Sequence, residues 1–134
     1  MISFHASLPS NIHIPTPGQS VVFIQVDTNL GGGYNATTGV FTAPVAGQYQ
    51  FSLTFLLYYP SSSLSYAGVL DVLKNGNTII RVRADTTQSN NYDSASGTTV
   101  IGLNKGEHVS VVANSAIMYI IGGGYTYFSG FLIG

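Results

Sequence analysis

The chain has no cysteine among its 134 residues, so neither a disulfide framework nor a thiolate metal site can be built and the redox compartment stays open. Stability must come from packing or assembly. Charge is also scarce: 7% of residues are charged and 45% are hydrophobic. Four basic side chains, Lys74, Arg81, Arg83 and Lys105, are offset by five acids, for a net charge of −1. Counterion release along a polyanion needs a dense basic face, so this balance argues against a nucleic-acid partner. It also leaves little polar cover for a monomer, which favours an oligomer that hides part of the surface. Long apolar runs are missing too. Phe55 to Tyr59 and Ala116 to Ile121 are far too short for a helix that spans a bilayer. Met1 to Pro15 lacks the basic start and apolar stretch of a signal peptide, so the chain reads as intracellular or as a mature fragment carrying a start methionine.

Helical periodicity is absent as well. Apolar residues alternate, and Gly, Pro and Asn break the chain at short intervals, which predicts an antiparallel all-β fold. Strands are expected over Ser3–Ser7, Ser20–Val26, Val40–Thr42, Gln48–Tyr59, Ala67–Lys74, Thr78–Asp85, Gly97–Leu103, His108–Ala113 and Thr126–Ile133. That many short strands suit a sandwich or jelly roll. The length is that of one domain, residues 1–134, which buries roughly two-thirds of its surface on folding. Ser61–Ser65 and Thr86–Ser96 read as polar loops within it.

Lys74-Asn75-Gly76-Asn77 predicts a type I′ hairpin, because Asn-Gly permits positive φ at both central positions. With Lys74 opposite Asn77, Leu70, Val72, Ile79, Arg81 and Arg83 share one face. Val69, Asp71, Leu73, Ile80 and Val82 share the other. Aliphatics on both faces point to burial of the outer face, against another subunit.

Between Phe23 and Phe51 stands a spaced set of rings and turn residues: Phe23, Asn29, Tyr34, Phe41, Gly47, Tyr49 and Phe51. Asn35–Gly39 and Ala43–Gly47 supply turn chemistry, and each is followed by an alternating strand. The spacing resembles the aromatic motif of the globular C1q domain, with Leu53 where the motif has one further ring. The resemblance runs from Phe4-His5-Ala6 to the closing Tyr127–Ile133. It implies a ten-stranded jelly-roll β-sandwich of the C1q/tumour necrosis factor type that assembles as a trimer. The chain has no Gly-X-Y run or heptad, so a stalkless head is the simplest reading.

Asp85 to Gly97 resembles the calcium-binding loop at the trimer apex of adiponectin-like heads. The resemblance carries over Asp85, Asn91 and Asp93 as calcium ligands, with Thr86 standing where that pattern has a side-chain amide. Calcium takes six to eight hard oxygens, so backbone carbonyls, water or neighbouring subunits must complete the set. A polar loop held by Asx turns is the other reading of the same residues.

Enzyme chemistry finds no anchor. There is no G-x-S-x-G elbow, His5, His13 and His108 lack metal-ligand spacing, and Asp85 with Asp93 suits ligation or solvation better than glycoside hydrolysis. Gly31-Gly32-Gly33 is followed by no helix and reads as a mobile turn rather than a phosphate loop. Asn35-Ala36-Thr37 matches a glycosylation sequon, yet turn geometry accounts for it. Arg81, Arg83 and Asp85 form a charged row that either binds an anionic ligand or pairs with acids across a subunit interface. Ala116 to Ile121, followed by Gly122-Gly123-Gly124-Tyr125, either extends neighbouring strands or exposes Tyr119 and Tyr125 as stacking platforms for a sugar or apolar ligand.

Together these readings describe a non-enzymatic, secreted homotrimer that binds glycans or microbial surface ligands by multivalency. The alternative is a secreted signalling ligand, like adiponectin or cerebellin, that binds a protein receptor. A trimerising head that nucleates a longer assembly is a third class, and the lack of a stalk counts against it.

Overall fold

The structure, a computed structural model, describes residues 1–14, 16–60, 65–115 and 118–134. Its strands are β1 (Ser3–Ser7), β2 (Ile12–Ile14), β3 (Gln25–Leu30), β4 (Tyr34–Asn35), β5 (Val40–Thr42), β6 (Gly47–Tyr58), β7 (Tyr66–Lys74), β8 (Asn77–Thr86), β9 (Tyr92–Leu103), β10 (His108–Ala113), β11 (Met118–Ile121) and β12 (Tyr127–Leu132). They form two antiparallel sheets packed face to face. The larger has seven strands, in the order β2-β11-β6-β12-β1-β3 with β9 also on β6. The smaller has five, in the order β4-β5-β10-β7-β8. One edge of β6 holds β9 along its full length, while β12 and β11 follow one another along the other edge. No described helix is long and apolar enough to cross a membrane.

The core is built from the aromatic set. Phe4 stacks on Tyr34 at 5.0 Å and on Phe41 at 5.1 Å, and meets Phe128 edge-on at 5.1 Å. Burial of each ring contributes about 1.5–3 kcal/mol. The other positions of the set close the loops around these rings. The Asn29 side chain accepts from the Tyr34 amide at 3.1 Å and donates to the Tyr34 carbonyl at 2.8 Å. The Tyr49 hydroxyl donates to the Val45 carbonyl at 2.7 Å, and a Cβ on Gly47 would lie 2.7 Å from Leu132. Leu53, in place of a ring, is fully buried.

Several expectations change. Ser20–Val26 is not a strand: Ser20 makes an isolated bridge to Val112, and pairing with β1 begins at Gln25. The short strands β2, β4 and β11 have no counterpart among the expected ones, and β9 starts at Tyr92, which shortens the expected Thr86–Ser96 loop. Residues 61–64 of the other polar loop lie outside the described residues, as do Ala116 and Ile117 of the apolar run. The remainder of that run is strand, with Met118 and Ile120 fully buried, so it extends the sheet. In the triglycine turn the Gly32 amide bonds to the Asn29 carbonyl at 3.1 Å, and a Cβ on Gly33 would lie 2.5 Å from the Phe41 ring.

The hairpin turn is as expected, with Lys74 opposite Asn77 and φ of 49° at Asn75 and 83° at Gly76. Its faces are not. A bulge between Val72 and Leu73 makes Ile79 an extra residue, so Val72 pairs with Ile80 and Asp71 with Arg81. Leu70, Val72, Ile80, Val82 and Ala84 therefore face the core, with Ile79 packed against it as well. Val69, Asp71, Leu73, Arg81, Arg83 and Asp85 lie on the outer face, where charged side chains outnumber aliphatic ones. This hairpin thus gives no support to a second buried face.

Candidate functional site

Three surfaces carry chemistry. The first is the end of the sandwich where β8 passes into β9. Asp93 accepts the Asp85 amide on Oδ2 at 2.7 Å, which brings the two acids together. Both Asp85 oxygens receive Arg83 Nε, at 3.0 and 3.3 Å. Asn91 is half-buried and spends its backbone carbonyl on the Tyr59 amide. Thr86 is buried, and its hydroxyl donates to the Tyr66 carbonyl at 3.3 Å. Asp85, Asn91 and Asp93 thus offer oxygens that suit a hard cation, while the Thr86 hydroxyl faces into the chain. Among the described residues no group of three or more His, Cys, Asp or Glu is placed to hold a metal ion.

The second surface is the charged row on β8. Arg81 pairs with Asp71 at 3.4 Å and Arg83 with Asp85 at 3.0 Å, so both arginines meet acids of their own chain. Asp71 is buried, and its Oδ2 also accepts from the Thr78 hydroxyl at 3.2 Å. The arginine side chains nevertheless stay about two-thirds exposed. With Ile79 turned to the core, the reason to bury this row disappears.

The third surface is the outer face of the larger sheet. By alternation β6, β9 and β12 present no charged side chain there. Ser52 bonds to Thr98 at 3.1 Å and Thr54 to Ser96 at 2.9 Å, and Val100 and Phe131 are exposed. At one end of this face lies an aromatic cluster. Tyr119 stacks on His13 at 4.4 Å and meets Tyr58 edge-on at 6.4 Å, and Tyr58 lies 4.8 Å from Tyr92. Beside it Tyr59 stacks on Tyr66 at 4.5 Å, and burial raises the Tyr66 pKa, with Tyr59 adding to the rise. Tyr125 is 63% exposed, in the turn that leads to β12, and has no ring contact with Tyr119. The two expected platforms therefore belong to different settings. Sequence reading missed Tyr58, Tyr92 and His13, whose convergence depends on pairing between strands far apart in the chain.

The outer face of the smaller sheet also bears two adjoining hollows of about 390 Å³ each, beside the Asn75-Gly76 turn and beside the triglycine turn. Sequence reading gave no sign of them.

Comparison with known proteins places this geometry. The C1q domain model matches residues 3–133. Complement C1q tumor necrosis factor-related protein 3 of Mus musculus is 27% identical, over 98% of this chain and 51% of that protein. Protein HP-25 homolog 1 of Bos taurus is 33% identical, over 71% of this chain and 41% of its own length. The chain thus spans about half the length of the curated relatives it matches. Among solved structures, the globular domain of zebrafish complement 1qA superposes with a TM-score of 0.74 at 19% identity, covering 100% of this chain and 98% of that one. Murine APRIL gives 0.78 at 16% identity, covering 98% of each chain. These likenesses show a shared fold. With the family model matched almost end to end and the motif residues holding the core, the chain belongs to the C1q domain family, a non-enzymatic fold that it shares in outline with tumour necrosis factor.

Proposed function

We propose that this domain is a secreted recognition head that works as a homotrimer and binds glycans or microbial surface ligands. The observation that carries the reading is the part of the larger sheet's outer face formed by β6, β9 and β12, which is uncharged and lined by hydroxyl pairs and exposed apolar groups, with the His5–Asp27 pair at its β1–β3 edge. The β6–β9–β12 part of the face is covered by other copies of the chain without stranding a charge. Three heads then present each ligand site three times, and individually weak sites gain avidity on repeated ligands. Calcium is the cofactor proposed with it, held by Asp85, Asn91 and Asp93 with oxygens from outside one chain. Tyr119, Tyr125, Arg81 and Arg83 are the proposed ligand contacts.

A glycan array probed with the purified protein tests the reading. Saccharide binding that changes little between low and physiological salt, and that falls in Tyr125→Ala, is the expected result, because stacking and neutral hydrogen bonds are weakly screened. Loss only in Arg83→Ala, with steep salt dependence, would shift the reading to an anionic ligand.

One observation favours a signalling ligand with a protein receptor instead. Arg81 and Arg83 stay exposed although paired, and arginine is enriched where protein partners bind tightly. Capture of a single cell-surface protein, with no glycan signal, would select that reading.

A further inference from the structure

From the two hollows on the outer face of the smaller sheet we infer a saccharide site that seats one neutral sugar unit beside the Asn75-Gly76 turn and carries the chain past Asn35 into the second hollow. The inference rests on the glycan-recognition reading and gives it a place. Asn35 and Thr42 line both hollows, so the two form one continuous surface. A volume of about 390 Å³ each falls within the range of small-ligand sites.

The chemistry of the first hollow is that of a neutral polyol site. Thr38, Val40 and Thr42 line it and give a largely apolar wall for the C–H face of a sugar ring. The lining holds no carboxylate, lysine or arginine, and its polar groups are partly unspent. His108 meets the Thr42 hydroxyl through Nδ1 at 2.9 Å, which leaves Nε2 open. Asn35 accepts the Thr37 amide on Oδ1 at 2.8 Å and keeps its Nδ2 donor free, and Ser110 contributes a hydroxyl. The turn is fixed before any ligand arrives. Asn75 accepts the His108 amide at 2.8 Å and donates to Glu107 Oε2 at 2.8 Å, and Glu107 in turn accepts the Asn104 amide at 2.6 Å. Donors held at set positions around an apolar wall lose little entropy on binding. The second hollow adds Lys105 and the triglycine backbone.

The hollows lie far from the proposed calcium loop. They sit at the Asn77 end of β8 and the loop follows its Thr86 end, so the length of this ten-residue strand, roughly 30 Å, separates them. The sheet they occupy is also not the one proposed to meet other copies, so the site stays open in a trimer.

Amide shifts of the ¹⁵N-labelled protein test the inference, with glucose, mannose and N-acetylglucosamine as probes, each beside its own trisaccharide. Shifts should cluster at Thr38, Asn75, Gly76 and Ser110, and at least one trisaccharide should bind more tightly than its monomer and extend the shifts to Gly32 and Lys105. Asn35→Asp, which keeps the acceptor for Thr37 but removes the donor, and Ser110→Ala should each weaken binding about tenfold. Unchanged affinity in both variants would overturn the site. Trisaccharides no tighter than monomers would overturn the continuation into the second hollow. Shifts confined to Tyr119 and Tyr125 would overturn the site and leave the recognition reading standing, whereas no shift with any saccharide would overturn both.

Discussion

The Tyr34 hydroxyl holds both backbone polar groups of Phe23: it accepts the Phe23 amide at 3.0 Å and donates to the Phe23 carbonyl at 2.8 Å. The pair ties the segment before β3 to the hairpin after it, and both residues are buried. Tyr34→Phe keeps the ring on Phe4 but leaves an amide and a carbonyl unpaired, at a cost of about 1–3 kcal/mol. Urea unfolding should show a lower midpoint at an unchanged slope. An unshifted midpoint would mean that the bond pair adds nothing. Burial pushes the Tyr34 phenol up to about 12, against the opposing Phe23 hydrogen bond. Since the unfolded chain ionises near the ordinary phenol value of 10.0, this stabilisation is complete below pH 10 and is lost as pH rises towards 12. The Phe variant should lack that alkaline loss.

The two sheets and the central strands were legible because rings and turns fix them locally. Phe23, Tyr34, Phe41, Tyr49 and Phe51 are all buried in one core, as their spacing foretold. What escaped was non-local. Ile79 followed by Ile80 gives no local sign of which residue is extra, yet the bulge there exchanges the faces of β7 relative to β8. The expected acid loop did bring Asp85 and Asp93 together. That Thr86 would turn inward follows from the pairing of Tyr66 with Thr86, which depends on the same shifted register.

Gly122 is held against the segment before β2. Its amide donates to Asn11 Oδ1 at 2.9 Å, and a Cβ would lie 2.4 Å from the Ser10 backbone. Gly122→Ala must therefore displace this contact, at about 1–3 kcal/mol. A lower thermal midpoint, with amide exchange rising first in residues 8–14, is the expected result. A parent-like midpoint would show that the Ser10 segment yields freely.

If the uncharged β6–β9–β12 part of the larger sheet's outer face is covered by other copies, a charge placed in its middle should open the assembly. Thr98→Glu puts a carboxylate beside Ser52 on that face, away from the core. Sedimentation equilibrium should report a trimer for the parent and a smaller species for the variant at micromolar concentration, with the strand signal in circular dichroism unchanged. A parent that is monomeric at that concentration would remove the trimer and the avidity that depends on it.

Arg83 and calcium compete for one carboxylate. The guanidinium lies on both Asp85 oxygens, while Asp93 is tied through Oδ2 to the Asp85 amide and keeps its other oxygen available. A cation seated between these acids must displace Arg83 or share Asp85 with it, so Arg83→Met should tighten calcium binding and Asp93→Ala should abolish it. The parent affinity is expected at about 10⁻⁴–10⁻³ M, since one chain supplies few ligands. Calorimetry of the three proteins decides the matter. Weaker binding in Arg83→Met would mean that the arginine positions Asp85 for the ion rather than competing with it, and no heat from the parent at millimolar calcium would remove the site.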